Sequence, residues 1–414
     1  MSFLGLQCAR CGEQTAPPAT LGLCACGGPR LARYDFEHLR KLDLRSRFQS
    51  RAPAILSRWI ELLPFADTRA LDQVSLGETE TPLLDAGSLG AHIGMNALRL
   101  KLDLLLPSNS LKDRPHSAVV AAAVEHGARV IAVNSSGNAA TALASHANRV
   151  GLKVLVILPI GSSQAKIAKA RALGARVVQI AGSVDHCATV LGVLVRKTGW
   201  FSAVSWINPY MLEGTKTIGF EIAAQTNWQT PDTVVLPLGN GAATLGPWKG
   251  FRELFDAGVI GRIPKIVGVQ FAGCAPLVQA FESGTTRIEP VTAQPTLTTT
   301  LMISNPSVSG PLALDVLRST GGRAISVTDD EVREAMRLLS RHTGLLAEPA
   351  GAISLAGTIK LARLRIVSAD ERVVCLISGA GANQPETLEP LAPLPRTLAA
   401  GEEHSIDPES LLAD

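Results

Sequence analysis

Arg129-Val130-Ile131-Ala132-Val133-Asn134-Ser135-Ser136-Gly137-Asn138-Ala139-Ala140 decides the fold. An apolar run of strand length passes through small polar residues and glycine into a helical pattern over Asn138–Val150. That is a βα unit. The chain repeats it. Strand-like runs occur at Ala97–Asp103, Leu152–Pro159, Arg176–Ala181, Thr233–Leu238, Lys265–Gln270, Arg323–Val327 and Val373–Ser378. Helical patterns separate them at Ser117–His126, Gln164–Leu173, Glu213–Ala224, Thr244–Asp256, Asp330–His342 and Ala350–Leu364. Continuous apolar strands alternating with helices predict an α/β fold whose parallel sheets are covered on both faces. Ligands of such folds bind where strands end and helices begin, so chemistry is sought in those loops.

The 414 residues suffice for one large or two medium domains, and 46% hydrophobic content supports a substantial core. Thirty-nine basic and 36 acidic residues are interspersed and leave a net charge of +3. That balance, without a basic run bearing stacking aromatics, gives no footprint for nucleic acid or an anionic membrane. The opening Met1-Ser2-Phe3-Leu4-Gly5 has neither a basic n-region nor an apolar h-region. The longest apolar stretches, such as Leu152 to Ile160, are too short to span a bilayer. The expectation is a cytoplasmic protein.

Four of the seven cysteines cluster in Cys8-Ala-Arg-Cys11-Gly12 and Cys24-Ala-Cys26-Gly27-Gly28. Without a signal peptide, metal is favoured over disulfides. Four thiolates on two turns suit a structural zinc that would hold residues 1–30 as a ribbon-like module. The alternative is a metal-free ribbon. Residues 31–75 read as a connecting helical segment and 387–414, rich in Pro, Glu and Ala, as a flexible tail.

Three loops carry the chemistry. Pro107-Ser108-Asn109-Ser110-Leu111-Lys112-Asp113-Arg114 puts a lysine at a helix start, where the dipole favours the free amine of an imine-forming lysine. Taken alone, a solvated lysine is the commoner reading. Asn134 to Ala140 offers hydroxyls and backbone N–H groups to a carboxylate, or an ordinary helix cap. Leu238-Gly239-Asn240-Gly241-Ala242-Ala243-Thr244 suits a phosphate. It is not a dinucleotide fingerprint, because Thr244 stands at the last glycine position and the next strand ends at Gln270 without an acid. Nor is it a Walker loop. A dehydrogenase is therefore disfavoured.

In this order and spacing the loops resemble the fold type II pyridoxal-phosphate enzymes of the tryptophan synthase β family, and threonine synthases among them. The resemblance covers roughly Leu76 to Glu386. It includes Gly77-Glu78-Thr79-Glu80-Thr81-Pro82-Leu83, Asn208-Pro209 through Glu213-Gly214-Thr215-Lys216-Thr217, Leu346-Ala347-Glu348-Pro349-Ala350 and Ser378-Gly379-Ala380-Gly381. The cysteine ribbon is also similar to that of some threonine synthases. The resemblance implies a catalytic domain over 76–386 with a smaller mobile subdomain over about 115–205, an active site between them, and a homodimer. It implies that Lys112 carries pyridoxal phosphate and shuttles protons. Asn138 would bond the phenolic oxygen. Gly239, Asn240, Gly241, Ala242 and Ala243 would cradle the phosphate. Ser378 would face the pyridine nitrogen. Ser135, Ser136 and Gly137 would hold the carboxylate of a small amino-acid substrate.

The match fails at one subsite. Where threonine synthases carry a threonine, a serine and an arginine for the substrate's phosphate, this chain has Ala139, Trp206 and Met211. Losing a charge-assisted bond to phosphate costs about 1.5–3 kcal/mol. The expectation is an elimination or replacement enzyme that does not use O-phosphohomoserine. The alternatives are a true threonine synthase in which Lys216 or Arg114 replaces the lost contacts, a dehydratase or β-replacement synthase, and a non-catalytic homologue.

Overall fold

The computed structural model describes residues 2–16, 21–135, 137–162, 164–182 and 184–391. The tail from 392 onward, and Ser136, lie outside them. Thirteen strands form three sheets among these residues. β1 (Phe3–Cys8), β2 (Gln14–Thr15) and β3 (Arg30–Tyr34) make a small antiparallel sheet in the order β2-β1-β3. Thus the ribbon does not end at residue 30. β3 pairs with β1 through Tyr34, and the segment expected to be helical from 31 onward begins as a strand. The reason is local, since Ala32 and Tyr34 are buried while Leu31 and Arg33 between them are less so, a period of two.

The large sheet contains β4 (Leu83–Asp85), β5 (Leu98–Lys101), β10 (Thr233–Pro237), β11 (Lys265–Phe271), β12 (Arg323–Val327) and β13 (Val373–Leu376). Their order is β12-β11-β10-β13-β5-β4, parallel throughout except at the edge pair β4–β5. The second sheet contains β6 (Val130–Val133), β7 (Lys153–Pro159), β8 (Arg176–Ile180) and β9 (Phe201–Ser202), all parallel, in the order β8-β7-β6-β9.

Burial explains the unbroken apolar runs. Val234 and Leu236 of β10 face one core and Val235 the other. On β13, Val374 and Leu376 oppose Val373 and Cys375 in the same way. Each side chain taken from water contributes about 1.5–3 kcal/mol, so the middle of a strand buried on both faces favours apolar residues throughout.

The helices that position the site are α1 (Asp113–Glu125), α2 (Asn138–Arg149), α3 (Tyr210–Thr215), α4 (Thr217–Gln225), α5 (Ala242–Asp256) and α6 (Pro349–Arg363). The single helix expected over Glu213–Ala224 is instead two, broken at Lys216. Beyond α6, Leu388 and Leu391 pack on the core, so the start of the segment read as a flexible tail is docked. No helix among the described residues is long and apolar enough to cross a membrane.

Candidate active site

Lys112 occupies the turn between β5 and α1, and two sets of bonds fix it. Asp113 accepts from the backbone and hydroxyl of Ser108, both at 2.8 Å, while its other oxygen meets His146 Nε2 of α2 at 3.1 Å. The backbone N–H of Leu111 donates to Ser378 O at 2.9 Å, and that of Ala380 to Asn109 O at 2.9 Å. The Lys112 turn is therefore stitched to the loop after β13.

A cavity of about 410 Å³ opens at the carboxyl ends of both parallel sheets. Its wall takes Lys112 and His116 from the start of α1, Asn134, Ser135, Gly137, Asn138 and Ala139 from the loop after β6, and Met211 from α3. Gly239 and Asn240 come from the loop after β10. Among the described residues, Lys112 is the only lysine or arginine on this wall. Burial pushes its pKa below the usual lysine value, against the opposing pull of Glu348. A neutral amine is what imine formation requires.

The glycine loop suits a phosphate. Gly241 adopts φ +88°, where L side chains are strained, and turns the chain into α5. The first-turn N–H groups lie at the positive end of the helix dipole, that of Ala242 donating to Asn240 Oδ1 at 3.2 Å. A Cβ at Gly239 would lie 3.0 Å from Leu301 Cδ2, so the loop is closely lined. A cavity that joins the Lys112 amine to a glycine-turned helix start fits pyridoxal phosphate.

The remaining expected residues fall as follows. Asn138 lines the cavity, and its Nδ2 donates to Glu348 Oε1 at 2.5 Å. Ser378 is buried, and its hydroxyl donates to Ala350 O at 3.1 Å. Trp206 is not among the described residues that line the cavity. Its backbone has φ +68°, and its indole N–H donates to Asn240 O at 2.9 Å, bracing the glycine loop. Ser136 lies outside the described residues. Sequence reasoning missed Glu348 and His116 as site residues. Glu348 stood in a quoted motif, and His116 lies one helical turn beyond Lys112, the spacing that puts two side chains on one helix face.

The cysteine cluster is also assembled. One sulfur from each of Cys8, Cys11, Cys24 and Cys26 lies within 4.8 Å of the others, with Cys8–Cys26 at 3.4 Å and Cys11–Cys24 at 3.5 Å. A zinc–sulfur length of about 2.3 Å gives tetrahedral edges of roughly 3.8 Å, so the four thiols fit that ion.

The fold and the lysine-bearing cavity define a fold type II pyridoxal-phosphate enzyme. Residues 74–379 match the family model described as pyridoxal-phosphate dependent enzyme. The chain is 37% identical over 381 residues to a threonine synthase of Methanocaldococcus jannaschii, covering 92% of this chain and 93% of that one. It is 33% identical to a threonine synthase of Mycobacterium tuberculosis, covering 81% and 90%. Among solved structures, a threonine deaminase of Solanum lycopersicum superposes with a TM-score of 0.64 at 20% identity, covering 92% and 99%. Diaminopropionate ammonia lyase of Escherichia coli gives 0.67 at 18%, covering 82% and 94%. The chain belongs to the pyridoxal-phosphate-dependent enzyme family, and within it is a threonine synthase-like lyase.

Proposed function

We propose that this enzyme carries out elimination, with or without replacement, at the β or γ carbon of a small amino acid whose side chain is not phosphorylated. The observation that carries this reading is the distal wall. Ala139 and Met211 present a methyl group and a thioether to the cavity where threonine synthases use a hydroxyl and a guanidinium. Neither cation considered as a substitute is free to replace them. Arg114 is fully buried and held by Asp103 and Glu221, and Lys216 by Glu213, Glu253 and Tyr34.

Bound pyridoxal phosphate supplies an electron sink for the pair left when the substrate's α-proton departs. The chain's residues do the rest. Lys112 anchors the group and moves the α-proton. Ser135 and Gly137, at the start of α2, hold the substrate carboxylate, with Ser136 adjoining in sequence. Asn138 orients the ring, and Glu348 holds Asn138. The glycine loop and α5 hold the phosphate. Ser378 offers the ring nitrogen a hydroxyl in place of a carboxylate.

The test is turnover of O-phosphohomoserine with phosphate release, beside a screen of unphosphorylated hydroxyamino acids. We expect turnover only in the screen. Efficient phosphate release would make the chain a threonine synthase and overturn the substrate assignment. Cys8, Cys11, Cys24 and Cys26 are proposed to hold one structural zinc. A cytoplasmic homodimer is proposed on the resemblance, and light scattering tests the assembly.

A further inference from the structure

His116 lies within α1, one turn beyond Lys112, and is completely buried. Its Nδ1 lies 2.8 Å from Lys112 O. A carbonyl oxygen can only accept, so Nδ1 bears the ring proton and Nε2 keeps a lone pair. Among the described residues that Nε2 has no hydrogen-bond partner. The ring nevertheless lines the cavity, together with Met211, Val133 and Ala203. A buried, unpaired acceptor beside an otherwise apolar patch is costly unless a ligand completes it.

We propose that His116 Nε2 accepts a hydrogen bond from the side-chain hydroxyl of the bound amino acid, making His116 the residue that selects a hydroxyl-bearing substrate. This rests on the reading above and names the substrate class. A lone pair in that position repels phosphate oxygens and attracts an O–H. Burial also pushes the imidazolium down to about pKa 3, against the opposing pull of the Lys112 carbonyl, so the ring stays neutral. It cannot become a cation for a phosphate in the working pH range. Apolar isosteres that lack the hydroxyl would leave the acceptor unsatisfied, and sites of this type discriminate against them strongly.

The test is calorimetric binding to the cofactor-loaded enzyme of L-serine and L-homoserine, against L-alanine and L-2-aminobutyrate. Wild type should bind at least one hydroxylated member about ten- to a hundredfold more tightly than its deoxy partner. His116→Leu should abolish that ratio by weakening only the hydroxylated ligand, while His116→Gln, which keeps an acceptor, should retain part of it. Cofactor absorbance reports that each variant is folded and loaded. A loaded His116→Leu enzyme with the wild-type ratio would overturn the proposal and leave the parent reading intact. A wild type without cofactor absorbance, or one that turns over O-phosphohomoserine efficiently, would instead overturn the parent reading.

Discussion

Asn138 Nδ2 and Glu348 Oε1 meet at 2.5 Å, joining the first residue of α2 beside the four-stranded sheet to the N-cap of α6 beside the six-stranded sheet. This bond spans the two halves of the site. Glu348 also holds up the pKa of Lys112, which burial lowers. Glu348→Gln removes that pull, so the Lys112 amine becomes neutral at lower pH. Reconstitution of cofactor-free Glu348→Gln protein, followed by absorbance, should extend to more acidic pH than wild type. An unchanged acidic limb would contradict this electrostatic role.

The distal subsite predicts a gain of function. Met211→Arg combined with Ala139→Thr restores two phosphate ligands of the threonine synthase pattern. Each charge-assisted bond is worth about 1.5–3 kcal/mol. The double variant should raise kcat/KM for O-phosphohomoserine by about tenfold or more. No gain would mean that Met211 and Ala139 do not face the leaving group.

Behind Lys112, Arg114 bonds Asp103 at 2.8 and 2.9 Å and Glu221 at 2.6 and 2.8 Å, with all three side chains fully buried. Lys101 shares Glu221 at 2.6 Å. Removing one partner leaves buried charge uncompensated, at about 3–5 kcal/mol. Arg114→Leu should lower urea stability by that amount. A loss under about 1 kcal/mol would show that the network relaxes.

The strands of the central sheets were legible because both faces are buried. The runs Val234-Val235-Leu236 and Val373-Val374-Cys375-Leu376 lie in strands where every residue is buried. The edge strands β8 and β12 were also legible, but the shorter edge strands β4 and β9 were not. β4 and β9 contribute three and two residues, too few for a period. The cavity loops were legible from their glycines, Lys112 and Asn138. Trp206 was not, because its role depends on a backbone turn at φ +68° that aims the indole at Asn240. Nor could sequence reveal that His116 Nδ1 is occupied by Lys112 O and Nε2 left open.

His116 gives a pH prediction. Its folded pKa of about 3 lies below the ordinary 6.5. Between those values the unfolded chain binds the extra proton, so stability falls as pH drops from about 6.5 toward 3. This one group contributes up to about 1.4 kcal/mol per pH unit. His116→Leu should flatten that part of the stability curve. An identical acid slope would show that the ring is not held neutral.

The cysteine ribbon is anchored by the β1–β3 pairing and by Tyr34, whose hydroxyl donates to Glu213 at 2.5 Å. Purified protein should contain about one zinc per chain, and Cys11→Ser with Cys24→Ser should abolish it. Metal-free wild type by elemental analysis would leave the cluster as reduced thiols.

The most direct measurement is borohydride reduction of the purified, cofactor-loaded protein followed by peptide mass spectrometry. The account predicts one phosphopyridoxyl group on Lys112, and loss of both the adduct and the visible absorbance in Lys112→Ala. An adduct on another lysine, or none in a protein saturated with the cofactor, would contradict it.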